Sequence, residues 1–352
     1  MSKITLPGLI DMHVHLRDPG QTHKEDFYTG TSSALAGGFT TVFDMPNNIK
    51  PVTHSTQLQE KIKSAKRQIV CDVGFYFGSM GDNIEEFEKV KDLVWGVKLY
   101  LNPTTGNYRI NIPILEKVFS AWPKDKLILV HAEADVIQEV VSEAKKHDRK
   151  IHICHVSSKA ELVPILQAKH EGVPITCGVT PHHLFLTQED ESSLGPYGRM
   201  KPALKSQKDQ DFLWKYIKEI DVVESDHAPH TKEEKESSEA PFGVTGLETT
   251  LPLLLKAEQE GRLSMDDIIR LCHTNPANIL GLKVDKETKV IVEDVEYKVD
   301  NKSLKTKAGW SPFHGRKVRG KVQEVYIRGQ KVFENGEVLA EKGSGRLILP
   351  KQ

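Results

Sequence analysis

The sequence predicts an α/β protein: a (β/α)8 TIM barrel with a small β-rich module appended. Three observations predict it. Short β-rich apolar runs recur eight times before Leu282. Longer amphipathic segments separate them, with apolar residues recurring every three to four positions, as on helices that bury one face. After Leu282 the texture changes to alternating apolar and polar residues with Gly and Asn-Gly turn signals. Strands alternating with helices imply a parallel sheet, and eight such strands suit a closed barrel better than an open sheet.

The strand runs are, in order, LPGLIDMHV, FTTVFDM, IVCDVGFYF, VWGVKLYL, KLILVHAE, KIHICHV, VPITCGVT and IDVVESDH. The spacing of apolar residues predicts helices over Lys24 to Ala36, Ser55 to Lys66, Ile84 to Asp92 and Ile112 to Trp122. Further helices are predicted over Ala134 to His147, Lys159 to His170, Gln207 to Ile220, Leu247 to Gln259 and Met265 to Leu280. The charged run HTKEEKESSEA, His230 to Ala240, is expected to be a solvated loop on the rim. KVIVEDVEYKVD and KVRGKVQEVYIRGQKVFENGEVL read as antiparallel strands. The expected domains are a barrel over 7–285 and a β module built from 1–6 with 286–352.

Composition narrows the function. The 352 residues are 38% hydrophobic and 28% charged, with a net charge of -1. A near-neutral chain offers no electrostatic case for nucleic acid or an anionic membrane. No run reaches the ~18 apolar residues of a membrane span, and MSKITLPG is too short and polar for a secretory signal. Cys71, Cys154, Cys177 and Cys272 are far apart and form no CxxC pair. Thiols in a reducing cytoplasm are therefore expected.

The polar residues on the strands carry the chemistry. His13 and His15 are two apart, so on a strand they share a face. Lys98 lies inside VWGVKLYL, while His131, His155 and Asp226 close KLILVHAE, KIHICHV and IDVVESDH. In a (β/α)8 barrel the C-terminal mouth is where active sites lie. Strands one, four, five, six and eight would thus point a metal-type ligand at one spot. Imidazoles and a carboxylate suit zinc, with manganese, iron and cobalt left open. A lysine inside an apolar strand is costly unless paired or modified. As an ammonium Lys98 would repel metal; as a carbamate it could bridge two ions. Cys154 is expected to face away from His155 as a core thiol, with no carboxylate at Gly178.

These residues resemble the amidohydrolase superfamily, and the wording is closest to the dihydroorotase family, including the dihydroorotase domains of multifunctional pyrimidine-synthesis proteins. GLIDMHVHLRDPG, AGGFTTVFDMPN, KLYLN, HAE, HICHVSS, PHHLFL, SDHAPH, FGVTGLETTLPLLL and HTNPANILGL carry the resemblance from about Leu6 to Leu282. GWSPFHGRKVRGKVQEVYIRGQKVF resembles the family's closing β segment.

The resemblance implies reversible cyclisation of N-carbamoyl-L-aspartate to L-dihydroorotate plus water, in pyrimidine synthesis. His13, His15 and Asp226 would hold one zinc, and His131 and His155 a second. Carboxylated Lys98 would bridge them with a hydroxide, and Asp226 would shuttle the proton. Arg17, Asn47 and His230 would clamp the substrate's free carboxylate. Thr104 and Thr105 in NPTTGN would belong to a lid; Lys201 and Gly243 would add substrate contacts. At GRMKPALKS the chain departs from the family, with Lys201 where an Asn or Arg often precedes the proline. A homodimer and association with aspartate transcarbamoylase are the implied partners. An allantoinase or hydantoinase is the enzymatic rival, and a catalytically dead scaffold the rival of another class.

Overall fold

The computed structural model describes residues 2–103, 109–134 and 136–350. The predicted first strand is two: β1 (Lys3–Pro7) and β2 (Leu9–Val14). Next come β3 (Phe39–Asp44), β4 (Asp72–Phe75), β5 (Phe77–Gly78), β6 (Gly96–Tyr100) and β7 (Leu127–His131). β8 (Ile151–Ile153), β9 (Ile175–Val179) and β10 (Val222–Val223) complete the first group. β2, β3 and β4 pair in parallel, as do β5 through β10 in order. Only Tyr76 separates β4 from β5, and a parallel bridge from Val14 to His227 joins β2 to the end of β10. With β4 and β5 as one interrupted strand, eight parallel strands close on themselves.

Strand alternation sorts the core into two layers. Leu127 and Leu129 of β7 join Ile10, Met12, Phe43 and Cys154 inside the ring. Ile128 and Val130 instead pack outward with helix residues such as Val140 and Leu162. Both faces are thus covered, which is why these strands read as continuous apolar runs.

The remaining strands, β11 (Lys289–Lys298), β12 (Lys317–Ile327), β13 (Gln330–Glu334) and β14 (Glu337–Val338), form an antiparallel sheet with β1 at its edge. β1 pairs with β11 from Lys3–Glu293 to Pro7–Lys289. β12 lies on the Leu247–Gln259 helix; Gly320 has φ 90, and a side chain there would run into Leu255.

Helices form near the predicted bounds, with four differences. The Gln207 helix stops at Lys215, well short of Ile220. Two unpredicted helices, Pro181–Phe185 and Gln188–Leu194, start behind Thr180 and Thr187, whose hydroxyl side chains suit an N-cap. Met265 to Leu280 is continuous but contains a π turn over Arg270–Thr274, two residues before Pro276, which has no N–H to donate. The charged run is not all loop: Lys232–Lys235 is a helical turn with a Thr231/Glu234 capping box.

One buried ion pair braces the loop that leaves β2. Lys61 Nζ lies 2.8 Å from Asp44 Oδ2 and donates to Met45 O and Asn48 Oδ1 at 2.7 and 2.9 Å. Asp44 Oδ1 accepts the Leu16 N–H at 2.8 Å. Burial pushes Asp44 up and Lys61 down. Removing one partner strands the other charge, so Lys61→Met is expected to lose about 3–5 kcal/mol of stability. Urea unfolding measures it; a loss within about 1 kcal/mol, the range of an exposed pair, would contradict a buried role.

No described helix is long and apolar enough to cross a membrane.

Candidate active site

At the C-terminal mouth of the barrel, one pocket is lined by His13, His15, Arg17, Asn47, Tyr100, His131, His155, Lys201, Asp226, Ala228, Phe242 and Gly243. Thr104 and Thr105 lie outside the described residues.

Strand-end backbone delivers these side chains. β2 is irregular between Asp11 and Val14, where Asp11 Oδ1 accepts the His13 N–H at 3.0 Å and the Ser225 N–H at 3.2 Å. That carboxylate ties β2 to the segment carrying Asp226. Arg17, His155 and Asp226 have φ of 64°, 39° and 45°, backbone that non-glycine residues rarely adopt and that clusters at functional sites. Arg17 lies beyond the strand that carries His13: β2 ends at Val14, and left-handed backbone aims the Arg17 side chain. The facing expected of Cys154 is corrected. β8 ends at Ile153, alternation fails at His155, and Cys154 turns inward with Sγ 2.9 Å from Lys98 Nζ.

His13 Nε2 and His15 Nε2 lie 3.3 and 3.1 Å from Asp226 Oδ1. His131 Nδ1 lies 3.0 Å from His155 Nε2. Ligand atoms of His13, His155 and Asp226 all fall within 4.8 Å of one another. Burial pulls all four imidazoles down, His13 to about 4, so they are neutral at pH 7 with lone pairs to offer. Asn47 Oδ1 sits 2.6 Å from His15 Nδ1; accepting that proton leaves His15 Nε2 unprotonated and facing Asp226. Burial raises Asp226 above the usual aspartate range, against the pull of His13. Lys98 is fully buried, its Nζ 5.1 Å from the Tyr100 ring centre, with no carboxylate within 4.0 Å among the described residues. The donor set fits a divalent cation: neutral imidazoles of His13 and His155 and the Asp226 carboxylate bring ligand atoms together in one buried cluster.

Arg17 adds a cation. Its Nε donates to Pro229 O at 3.1 Å, and its Nη2 lies 3.1 Å from His230 Nε2. It pairs with neither Asp18 nor Asp11, and burial lowers it to about 10. His230 is fully buried behind Arg17, with Lys24 Nζ 3.2 Å from its Nδ1. Lys201 and Arg199 lie over the Phe242 ring at 5.2 and 5.0 Å.

Sequence reasoning missed Glu224. It is fully buried; its Oε2 lies 3.5 Å from both His13 Nδ1 and His152 Nε2, and it accepts the His155 N–H. A Cβ at Gly178 would meet Glu224 Oε1 at 2.5 Å, so the carboxylate absent at 178 is supplied from the next strand. The signal was an acid directly after the apolar Val222–Val223 pair of the IDVVESDH run. Tyr100 and Phe242 were also missed; neither carried a spacing signal.

A closed parallel barrel with neutral histidines and a carboxylate at its mouth defines a metal-dependent hydrolase. The chain belongs to the amidohydrolase family, whose profile matches residues 4–332. It is 42% identical to the multifunctional protein CAD of Squalus acanthias over 97% of this chain, spanning 15% of that protein's length. It is 34% identical to a dihydroorotase of Pyrococcus furiosus, covering 98% of this chain and 85% of that one. Among solved structures, the L-hydantoinase (dihydropyrimidinase) of Arthrobacter aurescens superposes with a TM-score of 0.92 at 27% identity, over 99% and 89% of the two chains.

Proposed function

We propose that the chain is a dihydroorotase, interconverting N-carbamoyl-L-aspartate with L-dihydroorotate and water in pyrimidine synthesis. The observation that carries this reading is Arg17, a buried guanidinium with no carboxylate within 4.0 Å among the described residues, opening into the same pocket as the histidine cluster. The dihydroorotate ring bears a free carboxylate, and a guanidinium forks onto such a group. Identity to a curated dihydroorotase along nearly the whole chain supports it.

His13, His15 and Asp226 would hold one zinc and His131 and His155 a second, with Lys98 between them as a carbamate. That carbamate forms when the Lys98 amine bonds to the carbon of carbon dioxide and releases a proton. The bound metals would polarise the ring carbonyl and make water a nucleophile at neutral pH. Ring opening adds water across the amide, so a proton must pass from the attacking water to the ring nitrogen. Asp226, whose Oδ1 lies 3.3 and 3.1 Å from His13 Nε2 and His15 Nε2, would carry it. Asn47 keeps His15 in its working tautomer, and Lys24 steadies His230 behind Arg17. Lys201 and Gly243 would border the bound ring. The setting is cytoplasmic, as a homodimer, with aspartate transcarbamoylase as a partner.

Hydantoinases share this fold, so substrate choice is the test. Purified protein is expected to open L-dihydroorotate, followed by loss of its ultraviolet absorbance, and to leave hydantoin and allantoin intact. Turnover of hydantoin or allantoin with dihydroorotate untouched would transfer the reading to those enzymes.

A further inference from the structure

Lys235 has no part in the chemistry above, yet it is the one fully buried residue of the Lys232–Lys235 turn. Its neighbours Lys232 and Glu233 are exposed. No carboxylate lies within 4.0 Å of its ammonium among the described residues. Instead Nζ donates to Arg199 O, Pro241 O and Gly243 O at 3.0, 2.9 and 3.1 Å. An ammonium has three donors and no acceptor, so this set is matched one for one. The Trp310 ring lies 5.5 Å away, and its Nε1 donates to His230 O at 2.7 Å.

The three carbonyls belong to the two strips that wall the pocket. One runs from Arg199 to Lys201 and the other from Pro241 to Gly243; Gly243 N–H donates to Arg199 O at 3.1 Å, joining them. Lys235 itself does not line the pocket. By drawing these carbonyls toward itself it keeps their negative ends out of a cavity meant for a carboxylate-bearing ring. Peptide C=O and N–H point opposite ways, so the same pull fixes the facing of the Phe242 and Val244 amides.

We propose that Lys235 is a positioning residue whose buried ammonium holds the Arg199–Lys201 and Pro241–Gly243 walls in the shape that binds substrate. This rests on the dihydroorotase reading. A neutral amine has only two donors and would turn a lone pair toward a carbonyl, so the clamp requires the proton. Burial, reinforced by Arg199, lowers Lys235 to about 7. The other charged groups around it are engaged elsewhere: Glu234 with Lys24 and His23, Glu236 with Tyr197, Lys201 over Phe242, and His230 against Arg17. As pH rises through the titration of Lys235 the clamp loosens, and KM rises while kcat stays.

The experiment is steady-state ring opening of L-dihydroorotate from about pH 6 to about pH 9 with wild type and Lys235→Met, with metal content measured on each. Wild-type KM is expected to climb about tenfold across that range, one donor's worth of binding. Lys235→Met should show the high KM already at low pH, no further climb, kcat within about threefold of wild type and unchanged metal. The wild-type profile stands even where the variant folds poorly: a flat wild-type KM overturns the proposal. So does a Lys235→Met profile that matches wild type, or that climbs with pH as wild type does. Wild type that leaves dihydroorotate intact overturns the functional reading, and this inference with it.

Discussion

Asp226→Asn is expected to lower kcat for dihydroorotate ring opening by about 10³-fold or more, the scale of losing a positioned proton carrier beside a metal. Asparagine keeps the shape of the side chain, and its amide oxygen can still face His13 Nε2 and His15 Nε2 as Asp226 Oδ1 does at 3.3 and 3.1 Å. It cannot take up a proton from water and return it to the ring nitrogen. The fall should therefore appear in kcat, with far-UV circular dichroism unchanged. Activity within about tenfold of wild type would place the proton transfer on another group.

Arg17→Lys is expected to cost about 100-fold in kcat/KM, mostly through KM, equivalent to about 3 kcal/mol. Lysine preserves the charge, but a point ammonium cannot fork onto a carboxylate or hold Pro229 O through a second arm. The variant should also discriminate less against hydantoin, which lacks the carboxylate. A KM unchanged by the substitution would mean that another cation receives the substrate; Lys201, also on the pocket wall, would be the next to replace.

The barrel and the set of residues meeting at its mouth were legible because strand period and the C-terminal-mouth rule are local, repeated signals. His13, His15, His131, His155 and Asp226 each sit at the end of an apolar run, and the fold brings them together. What was illegible depends on backbone leaving the strand. Alternation predicted the facing of Cys154 wrongly, because His155 takes left-handed φ just where β8 stops, and Arg17 is likewise aimed by left-handed backbone past the end of β2. Asn47 was assigned to the substrate alone, whereas its Oδ1 also serves His15. Glu224 was written plainly inside IDVVESDH, but its partners come from β2, β8 and β9, and no single strand shows that. Lys235 sat in a run whose charge suggested solvent; its burial depends on carbonyls 36, 6 and 8 residues away. Helix starts at Thr180 and Thr187 carried capping signals that short length concealed.

On the proposed function, these residues hold a metal centre that opens the dihydroorotate ring. Metal content per chain, measured beside ring-opening turnover before and after chelation, tests it most directly. About two zinc ions per chain are predicted, as in two-metal hydrolytic sites. Turnover should vanish on stripping, return with zinc and bicarbonate, and be absent from Lys98→Ala. Full turnover of dihydroorotate by metal-free protein would contradict the account.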